Sequence, residues 1–287
     1  MELKLEHFCG LKSIDIIGLL YGKKKVISIR LEAGRREFLE GAFKKYGLVW
    51  ETTDRGYDYR NRFITHIISK KSAHIKSTLA AYAAGRYDTV GELLGYPACC
   101  VKAYNTMLNS DQDDCDTFVR ECRNKSEKFF WPLNNVLDFD GRLIGKKAAS
   151  LDISCPYISL ISHNPCAYDC AESLKIARFN QARLAEHTPS HCREDFRAKL
   201  ARPVLYVDDF NLAILDGTSR PDGADYATPL YILGFGGIRS QLKAGDGVTL
   251  RGSSLEISKQ GKILCRRSFP KGPLILPFDR RFPGERL

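Results

Sequence analysis

GYPACCVKAY, residues 95–104, and SHNPCAYDCAES, residues 162–173, set how the rest of the chain is read. Each has a proline followed by cysteines: Pro97 before Cys99 and Cys100, Pro165 before Cys166 and Cys170. Proline suits the first turn of a helix, where its missing N–H costs nothing. The pattern therefore predicts two helix starts with thiols close behind them. Unpaired N–H groups and the positive end of the helix dipole favour thiolate there. Two such starts meeting in space bring four sulfurs to one metal centre.

Soft thiolates select iron–sulfur clusters, zinc or copper(I). The C-C…C-x-x-x-C spacing differs from the C-x-x-C knuckles of zinc ribbons. It differs also from the closely spaced run of ferredoxins. Adjacent cysteines are an awkward pair for one zinc tetrahedron, whereas a cubane has several irons to share. The expected ligands are Cys99, Cys100, Cys166 and Cys170, and the expected cofactor is a [4Fe-4S] cluster. Zinc is the alternative, and metal-free thiol chemistry or plain packing a third. With three cysteines bound, one iron stays open as a Lewis acid. His163 is then the candidate catalytic acid/base or fourth ligand. Its plainer reading is a loop histidine bonded to the helix start.

Other candidates are weaker. His187, His191 and Cys192 suit zinc only on a helix, which Thr188-Pro189 interrupts. Cys115 and Cys122 lie about 10 Å apart along a helix, too far for one ion, and read as core filling. Cys155 reads as packing, and Cys9 and Cys265 receive no role. Asp152 and Asp208-Asp209 offer carboxylates, but paired aspartates more often serve turns and caps. Gly234 to Gly237 lacks the strand–GxGxxG–helix context of a dinucleotide site. No Walker A, G-x-S-x-G or radical-SAM C-x-x-x-C-x-x-C motif is present, since residue 173 is Ser.

The 287 residues carry 44 Lys+Arg against 34 Asp+Glu, a net +10 that fits an anionic substrate or RNA, or a merely basic surface. MELKLEHFCG has charges inside any apolar core and reads as no signal peptide. No stretch reaches the roughly 18 apolar residues of a membrane span. A cytoplasmic, reducing setting follows, in which clustered cysteines mean metal or catalysis more often than disulfides. The oligomeric state is not legible.

Read in order, the chain is α+β with three domains. Residues 1–87 form an N-terminal support domain with helices on one side of a sheet. Within it, SIDIIGLLYG and VISIRLEA make a hairpin, and helices run over 33–46 and 72–86. Residues 88–202 form a mostly helical cysteine-bearing domain, with an apolar strand at 157–161 leading into His163. Glu172 to Leu184 forms a helix with Lys175, Arg178 and Arg183 on a basic face. Residues 203–287 form an antiparallel β domain, sandwich or barrel-like, with hairpin turns at 245–247 and 259–262 and an extended tail.

LGYPACC, residues 94–100, and HNPCAYDCAES, residues 163–173, together resemble an uncharacterised prokaryotic family. Its signature is LGYP-x-CC with a later H-x-P-C-x-x-x-C-x-x-S. The resemblance covers the central region and implies no activity. The paired cysteines are loosely similar to iron–sulfur enzymes of tRNA and nucleotide modification, whose spacing and nucleotide fold this chain lacks. Reductive or sulfur-transfer chemistry on a small or nucleic-acid-linked anion is the expected function. A zinc-stabilised nucleic-acid- or partner-binding protein is the alternative.

Overall fold

Strand β1 (Val26–Glu32) carries apolar side chains on both faces, and this organises the first sheet. It pairs antiparallel with β3 (Phe63–Ser69), which pairs antiparallel with β2 (Val49–Thr53), in the order β1-β3-β2. Ile27, Ile29 and Ile68 pack with Ile16 and Leu19 of α1 (Ser13–Leu20) and with Leu39 and Phe43 of α2 (Arg36–Lys45). Val26 and Ile67 pack with Ile75, Leu79 and Tyr82 of α3 (Ser72–Ala83). Successive strand residues point to opposite faces, so helices cover both faces rather than the one side expected. Each fully buried Ile or Leu contributes roughly 1.5–3 kcal/mol.

The computed structural model describes residues 13–32, 36–53, 63–108, 115–137, 159–187, 194 and 197–278. They belong to two units. The first comprises Met1–Asp113, Ser154–Cys166 and Cys170–Cys192. The second comprises Asp114–Ile153, Ala167–Asp169 and Arg193–Leu287. Residues 88–202 contribute to both.

The hairpin expected over residues 12–32 is corrected: its first arm is the helix α1. Residues 14–19 are all buried. A run apolar on every side suits a buried helix as well as a buried strand, and periodicity does not separate the two. After α3 come α4 (Tyr87–Leu93) and α5 (Ala98–Leu108), packed closely. A Cβ on Gly91 would lie 2.5 Å from Val101 Cγ2, so α4 meets α5 through a bare backbone. Gly91→Ala is expected to cost about 1–3 kcal/mol by overpacking, read as a lower urea midpoint.

His66 on β3 is wholly buried. Its Nε2 lies 3.4 Å from Glu40 Oε1, which accepts from Arg36 Nε and Trp50 Nε1. Burial holds the imidazole below its usual range. The unfolded chain takes up a proton near pH 6.5 and the folded one does not. Stability is therefore expected to fall as pH drops from 7 to 5. Urea unfolding at both ends checks this, and in His66→Gln the decline should be shallower.

In the second unit, a seven-stranded antiparallel sheet runs in the order β10-β4-β5-β6-β7-β8-β9. Its strands are β4 (Val204–Asp208), β5 (Asn211–Arg220), β6 (Gly223–Leu233), β7 (Gly247–Arg251), β8 (Ser254–Lys259), β9 (Lys262–Ser268) and β10 (Leu274–Leu276). Leu205, Leu215, Tyr226, Val248 and Ile257 contribute to its core. Gln260 and Gly261, both with positive φ, close the expected β8–β9 hairpin. Gly245 to Gly247 is not a hairpin turn: it joins the helix Arg239–Ala244 to β7. Part of the expected extended tail is β10, paired with β4.

The helix Cys115–Lys125, here α6, belongs to the same unit. Arg120 donates to the carbonyls of Val207, Lys271 and Gly272. Cys122 is buried, as core filling requires. Ala167–Asp169 also groups here: Tyr168 packs edge-on against Phe278 at 4.9 Å, and Asp169 accepts from the N–H groups of Glu127 and Lys128.

Candidate metal centre

The LGYPACC stretch is a helix stop followed at once by a helix start. Gly95 N–H donates to Glu92 O, and Tyr96 N–H to Gly91 O. This is a Schellman ending with glycine in the left-handed position. Gly95 has φ +73, and a Cβ there would lie 2.9 Å from Lys23 O. The Pro97 carbonyl then accepts from Cys100 and Val101 N–H and opens α5. Cys99 and Cys100 thus sit in the first turn, as the sequence implies.

The later motif departs from expectation. Pro165 opens no helix, because the chain is irregular through residues 159–170. The helix α7 (Ala171–His187) begins only after Cys170, whose carbonyl accepts from Leu174 N–H. Proline permits a helix start but does not compel one. The strand expected at 157–161 is corrected where described: residues 159–161 are buried but not in a strand. Residues 157 and 158 lie outside the described residues.

A buried ion pair holds the second motif beside the first. Lys24 Nζ lies 2.7 Å from Asp15 Oδ1, with side chains 6% and 2% exposed. Lys24 also donates to Ser162 Oγ at 3.0 Å, and Ser162 Oγ donates to Asp15 at 2.5 Å. The Lys24 ammonium lies 4.6 Å from the Tyr96 ring centre, and Tyr96 O–H donates to Ser162 O. The ring of Tyr96 lies 5.2 Å from that of His163. Asn180 of α7 donates to Leu160 O.

The Sγ atoms of Cys99, Cys100, Cys166 and Cys170 all lie within 4.8 Å of one another. Cys99 is 3.9 Å from Cys100 and 3.7 Å from Cys170, and Cys100 is 3.8 Å from Cys170. Cys100 Sγ accepts from Cys166 N–H at 3.3 Å and lies 3.2 Å from Ser173 Oγ. Ser173 Oγ is 2.8 Å from His163 Nε2, and both residues are buried. The chain of contacts runs Cys100–Ser173–His163. His163 is outside the four-cysteine group and reaches it through Ser173.

Crowding splits the thiols. The Cys100 thiol and Ser173 hydrogen-bond to the Cys170 sulfur and pull it down to about 4. The hydrogen bond to Cys170 and then burial push Cys100 up. Burial, then Cys170, pushes Cys166 up to about 12. Four thiolates this close repel one another, and a cation among them offsets that repulsion. These cysteines can hold a metal ion.

Residues 63–191 match a family described as "Protein of unknown function (DUF483)". Both cysteine motifs fall inside the matched segment. No curated protein and no solved structure matches.

Among the other candidates, His187 ends α7 and its Nε2 meets Tyr21 O–H at 2.8 Å. His191, Cys192, Cys155 and Asp152 lie outside the described residues. Asp208 accepts from Phe210 N–H and Asn211 Nδ2, a turn role. The basic face of α7 is partly neutralised: Lys175 pairs with Glu172 and Arg183 with Glu186. No described helix is long and apolar enough to cross a membrane. Sequence reasoning missed Asp15 and Lys24, and noted Ser173 only as the end of the second motif. A charged residue inside the apolar run SIDIIG was the available signal for a buried pair.

Proposed function

We propose that the four cysteines hold a single zinc ion, and that the protein is a zinc-stabilised, basic binding protein for an anionic partner such as RNA. The sulfur spacing carries this reading. With Zn–S near 2.3 Å, the edge of a regular tetrahedron is about 3.8 Å. Among Cys99, Cys100 and Cys170 the separations are 3.7, 3.8 and 3.9 Å, and with Cys166 included all four sulfurs lie within 4.8 Å of one another. Even the adjacent pair spans one such edge. A [4Fe-4S] cluster puts four separate irons among its thiolates and needs them farther apart than one ion does. The iron–sulfur enzyme is therefore the less favoured reading. Zinc here supplies cross-linking: it ties the start of α5 to the loop before α7. His163 supports Cys100 through Ser173 rather than acting as an acid/base.

The net charge of +10 supports the anionic partner. The test is titration of the full chain with a single-stranded RNA oligonucleotide. Binding should weaken at least about tenfold between 50 and 200 mM salt, as released counterions require. No binding at 50 mM salt would remove the partner from the proposal and leave the metal centre standing.

A further inference from the structure

Granting the single-ion centre proposed above, we infer that Cys99 is its site of oxidative modification. The four sulfurs differ in surroundings. Cys100 is buried, accepts from the Cys166 N–H and lies 3.2 Å from the Ser173 hydroxyl. Cys166 and Cys170 are half-buried, whereas Cys99 is exposed. Among the described residues, the closest contacts of Cys99 Sγ are the sulfurs of Cys100 and Cys170. Donated hydrogen bonds draw charge from a thiolate, and burial keeps reagents away. Cys99 has the most open approach and, among the described residues, no N–H or hydroxyl on its sulfur, so it keeps the most nucleophilic electron pair.

The matching reagent is a small hydroperoxide. The Cys99 thiolate attacks one peroxide oxygen, the O–O bond breaks, and hydroxide leaves. Sulfur loses two electrons and becomes a sulfenic acid. Cys170, 3.7 Å away on a separate segment, is placed to resolve it. Its thiolate attacks the Cys99 sulfur, an S–S bond forms, and a second hydroxide leaves. One peroxide has then been reduced by two thiolates. The centre keeps two thiolates and releases its ion.

The experiment treats full-length protein of measured zinc content with one equivalent of hydrogen peroxide. Zinc release is followed with a colorimetric chelator, and disulfides are mapped by mass spectrometry without reduction. In parallel, limiting iodoacetamide is used to rank the cysteines by rate. The expected result is Cys99 alkylated first, by at least about tenfold over Cys100, and a Cys99–Cys170 disulfide appearing with zinc release. Zinc present at the start with Cys99 among the slower cysteines, or a first disulfide that omits it, overturns the inference alone. A chain with no zinc at the start overturns the single-ion centre, and the inference falls with it.

Discussion

Cys100→Ala is expected to abolish metal binding and to lower the melting temperature by about 10–20 °C. Cys100 is the most buried of the four cysteines, and its sulfur meets Cys99, Cys170, the Cys166 N–H and Ser173 Oγ. Structural zinc sites return roughly 10–16 kcal/mol in small peptides. A unit with its own sheet and core depends on the ion less, so a loss on the order of 5 kcal/mol is expected. At roughly 2–4 °C per kcal/mol for a unit of 150–250 residues, that comes to about 10–20 °C. Differential scanning calorimetry with metal analysis checks it. A metal-free variant melting with the wild type would show that the ion is not a structural cross-link. Cys122→Ala, which empties a core position in the second unit, should keep its metal.

The second large effect lies in the ion pair behind the motif. Asp15→Ala leaves the Lys24 ammonium buried with Ser162 Oγ and the Tyr96 ring as its remaining neighbours. Breaking a buried pair from one side costs about 3–5 kcal/mol. Much of that is the uncompensated charge, so the double variant Asp15→Leu, Lys24→Met should recover a good part of it. Ser162 and Tyr96 both take part in this network, so Asp15→Ala should also weaken metal binding. Urea denaturation of the three proteins gives the energies, and a competing chelator gives the affinities. Equal losses in the single and double variants would mean that the charge is not what matters at this site.

Local signals carried much of the fold. The spacing of Phe38, Leu39, Ala42 and Phe43 marked α2, although Phe38 itself lies exposed; the β-branched run at Phe63–Ser69 marked β3, and the turn around Gly261 marked a hairpin. Each of these patterns has one structural solution. SIDIIGLL has two, because a mostly apolar octet buries equally well as helix or strand, and its surroundings chose helix. Pro165 is similar: the proline fixed one φ, but the chain from Ser159 to Cys170 follows its buried contacts instead of a helix. β10 was hidden because three residues between prolines pair only when β4 is beside them.

The four site cysteines stood out in the sequence by chemistry and clustering. Asp15 and Lys24 did not, since their pairing is a tertiary event 9 residues apart across a helix end. The choice between one ion and a cubane was likewise out of reach. Spacing along the chain says which thiols are available, whereas the distance between sulfurs says what fits among them. That distance exists only after α5 and the loop before α7 have come together.

The most direct measurement is elemental analysis of the chain purified without oxygen, so that no cluster is lost to air. A single tetrathiolate ion predicts one zinc per chain and no iron. About four irons per chain, the cubane count, would contradict it, as would a chain carrying no metal at all.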